Sequence, residues 1–307
     1  MTSDEFVPSY VRLGPAEVRS RAHALRRLMS PCRLCPRRCG VDRLAGEVGA
    51  CGLSAQPMVS SYGPHFGEER PLVGRRGSGT IFLTRCNLKC IFCQNYDISH
   101  LGRGQLVSPS VLAGMMLELQ ASGCHNINWV TPTHQAPMLV EALAAAAEDG
   151  LRAPVVYNCG GYEAVEALRL LDAIVDIYMP DAKYSDNEAG RLLSGVPDYW
   201  DRNREALAEM HRQVGDLQLN ELGIATRGLL VRHLVLPNGL AGTAGVMRFL
   251  ASLSPDTYVN VMAQYRPEHR AREVAALARL ITRKEYQEAV QMTIEAGLHR
   301  LDERWAN

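Results

Sequence analysis

Three closely spaced cysteines follow an apolar stretch at residues 80–84: Cys86, Cys90 and Cys93 form a Cys-x3-Cys-x2-Cys loop. Three thiolates at this spacing can bind three irons of a cubic four-iron cluster and leave the fourth iron without a protein ligand. An iron–sulfur electron carrier closes its cluster with four cysteines, so the spacing favours a reactive cluster over a carrier. A zinc ion with a remote fourth ligand and three free thiols are the alternatives.

A second group of cysteines lies upstream and comprises Cys32, Cys35, Cys39 and Cys51. Four thiolates can close a tetrahedral zinc site that stabilises a small module, or they can hold a second four-iron cluster. The stretch from Cys32 to about Gly79 is rich in glycine and proline and shows no sustained period. We therefore expect a small metal-binding module with a linker at residues 67–79.

The bulk composition excludes several classes of protein. The chain has 307 residues and a formal net charge of +0, with a pI near 7.1, so we expect no nucleic-acid partner. It contains no run of about 18 apolar residues and lacks a basic, apolar leader, so we expect no membrane span and no secretion. A cytoplasmic location would keep the nine cysteines reduced, which favours metal sites over disulfides.

From residue 80 onward, strand-like runs alternate with amphipathic helical stretches, a pattern typical of βαβ units and a parallel sheet. We predict strands at 80–84, 126–131, 154–158, 174–179, 229–236 and 257–262. We predict helices at 15–29, 108–122, 135–149, 162–171, 186–214 (broken near Gly195–Pro197), 243–253 and 284–297. Six parallel strands form a partial barrel or a doubly wound sheet, and in both cases the chemistry lies at the carboxyl ends of the strands.

The cysteine loop and its flanks resemble a known family. An aromatic residue, Phe92, precedes the last cysteine, as in the radical S-adenosylmethionine (SAM) superfamily. The segments GSGTIFLTRCNLKCIFCQNYDIS, CRLCPRRCGVDRLAGEVGACG, VTPTH and MPDAKYSD are similar to its pyruvate formate-lyase activating-enzyme-like branch. The resemblance implies a partial (β/α)6 barrel over residues 76–300, preceded by the metal module at 1–75 and followed by a tail at 301–307.

The resemblance also implies an activity. SAM would chelate the open iron of a [4Fe-4S] cluster, and an electron would cleave it to methionine and a 5′-deoxyadenosyl radical, which abstracts a hydrogen atom. The electron donor would be a protein such as flavodoxin or ferredoxin. The substrate would be a protein, a peptide or a small molecule, and activation of a glycyl radical enzyme is one specific form of this function. A non-catalytic iron–sulfur carrier is the alternative from another class.

Candidate cofactor-binding residues lie in the cysteine loop and at the strand ends. Hydroxyls of Thr131 and Thr133 can accept from the SAM ammonium at a position where the superfamily has a Gly-Gly-Glu-like segment; Thr133 could instead cap the next helix. Asn158 suits the ribose or the methionine carboxylate. The resemblance brings four further residues close to the cofactor: Phe92, Gln94, His233 and Val235.

Three residues are candidates for catalysis. Asp181 and Lys183 share a strand face if the period of two persists, so both can point into the mouth of the barrel and hold SAM or a substrate carboxylate. A surface ion pair is the other interpretation of this pair. Cys159 could donate a hydrogen atom to a substrate radical, or it could be a small packed residue.

Overall fold

The six predicted strands form the parallel core of one sheet in a computed structural model that describes residues 6–302. The core strands are β2, β4, β5, β6, β8 and β9, in the order β9-β8-β6-β5-β4-β2. The strands span Met58–His65 (β1), Ser78–Leu83 (β2), Gln105–Leu106 (β3), Ile127–Val130 (β4), Val155–Cys159 (β5), Ile177–Pro180 (β6), Gln218–Leu219 (β7), Ala225–Leu234 (β8), Tyr258–Met262 (β9) and Arg300–Leu301 (β10).

The predicted helices are present, and their ends carry the expected signals. They span Ser9–Leu13 (α1), Pro15–Arg27 (α2), Arg70–Val73 (α3), Tyr96–Ser99 (α4), Pro109–Ala121 (α5), Ala136–Glu148 (α6), Val165–Leu170 (α7), Asn187–Ser194 (α8), Tyr199–Val214 (α9), Thr243–Leu253 (α10) and Arg283–Glu295 (α11). Ser108 caps α5 by accepting from Val111 N, and Thr282 and Glu285 form a capping box on α11. The predicted break falls at Gly195, whose φ of 65° ends α8.

The two faces of the sheet pack against different partners. On β8, Leu229 and Val231 belong to a large apolar core that includes residues of α2, α5, α6, α7, α9 and α10. Leu230 points to the other face and packs in a small core with Leu72 of α3. The long helices therefore cover one face, whereas a doubly wound sheet carries helices on both. In every core strand, the same period of two places neighbouring side chains on opposite faces of the sheet.

Three segments differ from the sequence-based expectation. Residues 58–65, which we assigned to the metal module, form β1, which is antiparallel to β2 and extends the sheet. Part of the expected linker at 67–79 forms α3, in which Leu72 is fully buried. At the other end, β10 pairs in parallel with β9 at residues 300–301, where we expected the tail to begin; the rest of that tail, 303–307, lies outside the described residues, as do residues 1–5. Among the described helices, none is long and apolar enough to cross a membrane.

Candidate functional site

A cavity of about 430 Å³ opens where the carboxyl ends of the parallel strands meet the cysteine loop. It is lined by residues from the ends of β2, β4, β5, β6, β8 and β9, as expected for this class of sheet. Ten of the residues predicted from sequence line it together: Cys86, Cys90, Cys93, Phe92, Gln94, Thr131, Asn158, Cys159, Asp181 and Lys183. The fold thus gathers residues that are almost a hundred positions apart.

The cysteine loop is held against the rim of the sheet by its own backbone. Lys89 N donates to Ser194 O at 3.0 Å, and Ile91 O accepts from Arg270 N at 2.8 Å. Phe92 is 5% exposed and packs edge-on against Tyr184, with ring centroids 6.4 Å apart. Because the backbone is tied on both sides, the three cysteines have fixed positions over the cavity.

Each cysteine sulfur has a polar neighbour. The contacts are Cys86 Sγ with Leu88 N at 3.3 Å, Cys90 Sγ with Ser194 Oγ at 3.0 Å, and Cys93 Sγ with Ser99 Oγ at 3.1 Å. Burial raises the pKa of the Cys86 thiol to about 12, and the nearby Cys90 adds to the effect. A thiol in this setting ionises when a cationic group binds it, and the neighbouring donors then stabilise the thiolate.

The donor chemistry of this loop fits an iron–sulfur cluster. Three thiols with hydroxyl and amide donors around them are the ligands that iron–sulfur clusters use. Within residues 6–302, no three side chains of His, Cys, Asp or Glu converge tightly enough to hold a single metal ion. A four-iron cluster does not require such convergence, because each thiolate binds a different iron.

A row of charged groups crosses the cavity next to the cysteines. Lys183 Nζ lies 2.5 Å from Asp181 Oδ2, and Arg232 Nε donates to Asp181 Oδ1 at 2.9 Å. Arg232 Nη2 also donates to Asn158 Oδ1 at 2.6 Å. Burial opposes ionisation of Asp181, but the positive charges of Arg232 and Lys183 hold its pKa below its ordinary value. Asp181 and Lys183 are 15% and 17% exposed, so they are not a surface ion pair.

Two residues next to the strand ends have strained backbones. Thr131 follows β4 with φ of 62°, and Arg85 follows β2 with φ of 67°. A residue with a side chain adopts this left-handed region at a cost of about 1–3 kcal/mol, and such residues cluster at functional sites. Thr131 N donates to Asn158 O at 2.8 Å, which holds the turn in place.

Three predicted cofactor-binding residues do not line this cavity. Thr133 is buried and its hydroxyl donates to Glu163 Oε1 at 2.6 Å. His233 faces the helices, with Nδ1 2.7 Å from Ala182 O and Nε2 2.9 Å from Thr243 Oγ1. Burial lowers the pKa of His233 to about 4, so the ring is neutral near pH 7. Val235 packs in the helix-covered core.

Cys159 lines the cavity and is backed by a buried carboxyl group. Glu163 is 2% exposed; it accepts from Thr133 and, at 3.1 Å, from Tyr157 Oη. Burial raises the pKa of Glu163 to about 7, although these hydrogen bonds and one from Cys159 oppose the rise. The Cys159 thiol is buried, and its pKa lies well above the ordinary value, so it remains protonated.

The N-terminal cysteines lie outside the cavity but close to the cysteine loop. Cys32, Cys35 and Cys51 are buried. Burial raises the pKa of Cys35 to about 12, and Cys51 and Cys39 add to the rise. Their segment is docked on the rim of the sheet by arginines: Arg37 donates to Asn87 O, and the fully buried Arg43 donates to Ser54 O at 2.7 Å and to His134 O at 2.8 Å.

Sequence reasoning missed three charged residues of the cavity: Arg232, Glu68 and Glu69. Arg232 stands two positions after Leu230 on β8, so the alternation that places Leu230 on the helix-free face also places Arg232 there. Glu68 and Glu69 lie in the segment interpreted as a linker, and only the fold brings them to the cavity.

Three comparisons relate this chain to known proteins. The family described as Radical SAM superfamily matches residues 80–220. Uncharacterized protein MJ0674 of Methanocaldococcus jannaschii is 33% identical over 277 residues, which cover 87% of this chain and 75% of that protein. A structure of TYW1 with a lysine-pyruvate adduct bound aligns with a TM-score of 0.43 at 12% identity, over 70% of this chain and 73% of that one. The chain belongs to the radical SAM superfamily.

Proposed function

We propose that this protein binds a [4Fe-4S] cluster through Cys86, Cys90 and Cys93, cleaves SAM reductively and abstracts a hydrogen atom from a protein, peptide or small-molecule substrate. One observation carries the proposal: the three thiols and the polar ends of the parallel strands face a single cavity. When bound, the cluster supplies the electron that cleaves SAM and so produces the 5′-deoxyadenosyl radical.

The residues of the chain bind and orient the cofactor in this proposal. Lys183 can pair with the methionine carboxylate, while Asp181 and the hydroxyl of Thr131 can accept from its ammonium. Asn158 is fixed by Arg232 and presents its remaining polar atoms to the cofactor. Phe92, packed against Tyr184, closes one wall of the cavity to water.

We also propose the finer architecture that the resemblance implies. Residues 76–300 form a partial (β/α)6 barrel, and the one-sided distribution of the helices supports this. Residues 1–75 supply the second metal site, with zinc or a second iron–sulfur cluster at Cys32, Cys35, Cys39 and Cys51; a single zinc ion would require these thiols to lie closer together than they do in the structure. A triple Cys86→Ala, Cys90→Ala, Cys93→Ala variant isolates that site, because any iron with sulfide, or any zinc, that it retains belongs to the N-terminal cysteines.

The reducing partner in this proposal is a cytoplasmic flavodoxin or ferredoxin. Similarity to the activating-enzyme branch makes a backbone glycine of a partner protein one form of the substrate. Electron paramagnetic resonance of a candidate partner after incubation with the reduced enzyme and SAM would detect the resulting glycyl radical.

The test of the central proposal is 5′-deoxyadenosine formation. The chain is reconstituted with iron and sulfide without oxygen, reduced with dithionite and mixed with SAM. We expect 5′-deoxyadenosine from the parent and at least about a thousandfold less from Cys90→Ala, since a ligand of the catalytic unit is lost. Cys124→Ala is the matched control, because Cys124 is a buried thiol outside both cysteine groups.

Two results would contradict the proposal. If a cluster-loaded parent forms no 5′-deoxyadenosine and SAM does not change the spectrum of its reduced cluster, a carrier role replaces the enzyme. If Cys90→Ala cleaves SAM as well as Cys124→Ala does, the cluster is held elsewhere.

A further inference from the structure

Two half-buried arginines connect the N-terminal cysteines with the cysteine loop. Arg37 lies between Cys35 and Cys39 in the chain, and Arg85 immediately precedes Cys86. Each arginine therefore belongs to one of the two cysteine groups. Both side chains extend beyond their own segment, so their contacts indicate what each charge serves.

Each arginine contacts the segment that carries the other cysteine group. Arg37 Nε donates to the backbone oxygen of Asn87, which directly follows the first cysteine of the loop. In the opposite direction, Arg85 packs on Gly52: a Cβ placed on that glycine would lie 3.2 Å from Arg85 Cδ and 3.3 Å from its Nε. Gly52 directly follows Cys51. The two contacts are thus reciprocal, one from each segment to the other.

Neither guanidinium has an acidic partner in the part of the chain that the structure describes. No carboxylate of residues 6–302 lies within ion-pair distance of Arg37 or Arg85. By contrast, Arg33 of the same N-terminal segment pairs with Glu166 at 3.2 Å. A guanidinium stays protonated in proteins, so both charges are always present. Two positive charges therefore lie beside the cysteine groups without a counter-charge from a described side chain.

Each guanidinium also has a buried nitrogen without an acceptor. These atoms are Arg37 Nη2 and Arg85 Nε, which have no hydrogen-bond partner within residues 6–302. The hydrogen bonds that the two side chains do form go to backbone oxygens, Asn87 O for Arg37 and, at 2.8 Å, His100 O for Arg85. Buried donors are almost always satisfied, so these two nitrogens point to an acceptor that the side chains of the protein do not supply.

The unpaired nitrogen of Arg37 lies beside the cysteine loop. Measured from the position of a Cβ built on Gly195, Arg37 Nη2 is 4.0 Å away and Lys89 Cβ is 3.7 Å away. Lys89 stands between Cys86 and Cys90 in the loop. A cluster bound by the loop would bring sulfide and thiolate sulfurs, which accept hydrogen bonds and carry negative charge.

Metal groups at both sets of cysteines would need positive charge close to them. Four thiolates carry twice the charge of the Zn²⁺ that they would hold, and a thiolate-bound iron–sulfur cluster becomes more negative when it is reduced. Two negative groups in neighbouring segments repel each other unless positive charge lies beside both. Arg37 and Arg85 have the charge, the unpaired donors and the reciprocal contacts that this arrangement requires.

We propose that Arg37 and Arg85 couple the two metal groups: each arginine belongs to one cysteine group and stabilises the negative charge of the metal group in the other. The inference rests on the proposed function, which places a cluster at Cys86, Cys90 and Cys93 and a second metal at the N-terminal cysteines. It makes the N-terminal module part of the redox centre, because Arg37 affects how easily the cluster of the loop is reduced.

A redox titration of the reconstituted chain, followed by electron paramagnetic resonance, tests the effect of Arg37. The signal of the loop cluster is the one that Cys90→Ala lacks, so it is identified without SAM. At the midpoint potential of the parent, we expect Arg37→Gln to lower the ratio of reduced to oxidised cluster at least about threefold, because a positive charge beside the reduced cluster is lost. Arg37→Lys keeps the charge and should keep most of the ratio.

Arg33→Gln is the matched control for this titration. Arg33 lies in the same segment, but it is exposed and paired with Glu166. Water screens its charge, so the ratio should stay at the value of the parent.

The reciprocal effect of Arg85 is measured in the triple Cys86→Ala, Cys90→Ala, Cys93→Ala variant, loaded with zinc or with iron and sulfide. The metal that this variant retains should pass to a chromogenic chelator at least about threefold faster when Arg85→Gln is added, because the charge beside the N-terminal group is lost. Arg103→Gln is the control: it changes an exposed arginine outside both cysteine groups and should leave the release rate unchanged.

Several outcomes would overturn the coupling. They are an unchanged potential in Arg37→Gln, an equal shift in Arg33→Gln, an unchanged release rate in Arg85→Gln, and a triple variant that retains neither metal. Melting temperatures show whether each variant folds. A lower melting temperature of Arg37→Gln with the potential of the parent would make Arg37 only a structural link to Asn87, and this would also overturn the coupling.

The failure of this inference and that of the proposed function are distinguishable. Absence of 5′-deoxyadenosine from the parent removes the proposed function, whereas the potentials are read from the cluster spectra and do not depend on cleavage of SAM. Deoxyadenosine from the parent together with an unchanged potential in Arg37→Gln removes only the coupling.

Discussion

The two faces of the sheet are built from the same strands but differ in chemistry. On β8, Val231 and Leu229 pack under the helices, whereas Arg232 and Leu234 line the cavity. The β4 strand repeats the pattern, with Trp129 in the helix-covered core and Asn128 on the other face. A shift of one residue along a strand therefore separates positions that hold the fold together from positions that serve the site.

This comparison explains why the cavity tolerates buried charge. The helix-covered face supplies most of the apolar burial, so the opposite face can carry buried charged residues such as Arg232, Asp181 and Glu69. The charges are costly individually, and they are retained as a connected set. The contrast between the faces predicts that substitutions on each face will affect stability and activity differently. The charged row of Lys183, Asp181 and Arg232 provides the first test.

Arg232→Ala should give the largest loss of stability. It removes the cation that Asp181 and Glu68 share and so takes away much of the positive charge beside two buried carboxylates; we therefore expect a loss of about 3–5 kcal/mol in the free energy of unfolding. Chemical denaturation measures the loss. Arg191→Ala breaks an exposed pair with Glu188 that water screens, so it should cost far less stability than Arg232→Ala. Equal costs for the two variants would mean that the cavity charges are effectively solvated.

Glu163 is a titratable group within the helix-covered core, and its pH dependence tests how apolar that face is. Its pKa rises from 4.5 in the unfolded chain to about 7 in the fold. Between those values the folded chain holds a proton that the unfolded chain has lost, so the free energy of unfolding should fall as pH rises from about 4.5 to about 7. The full effect is about 3 kcal/mol, and it levels off above pH 7.

Denaturation curves of the parent and Glu163→Gln across this pH window isolate the effect of Glu163, since Glu68 titrates in the same direction in both proteins. The difference between the two curves should change by the predicted amount. Parallel curves would show that Glu163 ionises normally in the fold and that the outer face admits water there.

Val231→Ala is the direct counterpart of Arg232→Ala, one residue away on the other face. Val231 is fully buried, and removal of two methyl groups should cost about 2 kcal/mol. Formation of 5′-deoxyadenosine per folded chain should not change, because the side chain does not face the cavity. A drop in SAM cleavage with unchanged stability would contradict the division of roles between the faces.

Local patterns in the sequence predicted the core strands and the main helices. The alternation of TIFLT and NINWVT, and the turn signal at Gly195, are short-range features, and the elements formed where those features indicated. The residues of the cavity could be predicted where a strand end carried an unusual polar group, as at Asn158, Asp181 and Lys183.

The remaining site residues depend on long-range packing. His233 stands on the same strand face as Val231, so alternation places it under the helices, although the family resemblance placed it close to the cofactor. Glu68 and Glu69 follow no periodic pattern. They reach the cavity only because β1 pairs with β2 and because α3 packs on the face of the sheet that the long helices leave uncovered. Ser194 is distant in sequence from the cysteine it contacts.

Ser194→Ala should have the smallest effect on stability of these substitutions. It tests whether a hydroxyl on the cavity side tunes the cluster at the cysteine loop. Ser194 Oγ lies 3.0 Å from Cys90 Sγ and 2.8 Å from Tyr184 Oη, so the tyrosine can donate to the serine while the serine donates to the thiolate. A donor to sulfur stabilises the reduced, more negative cluster. Its loss should lower the reduction potential of the cluster by on the order of 50 mV.

Redox titration of the reconstituted protein, followed by electron paramagnetic resonance, measures this shift. Ser252→Ala on the outer surface is the control, because its hydroxyl donates to Phe249 O, away from the cavity. The shift should appear without a measurable change in melting temperature, since one neutral hydrogen bond contributes only about 1 kcal/mol. A lower melting temperature with an unchanged potential would make Ser194 a packing residue of α8 and leave the potential to the loop backbone.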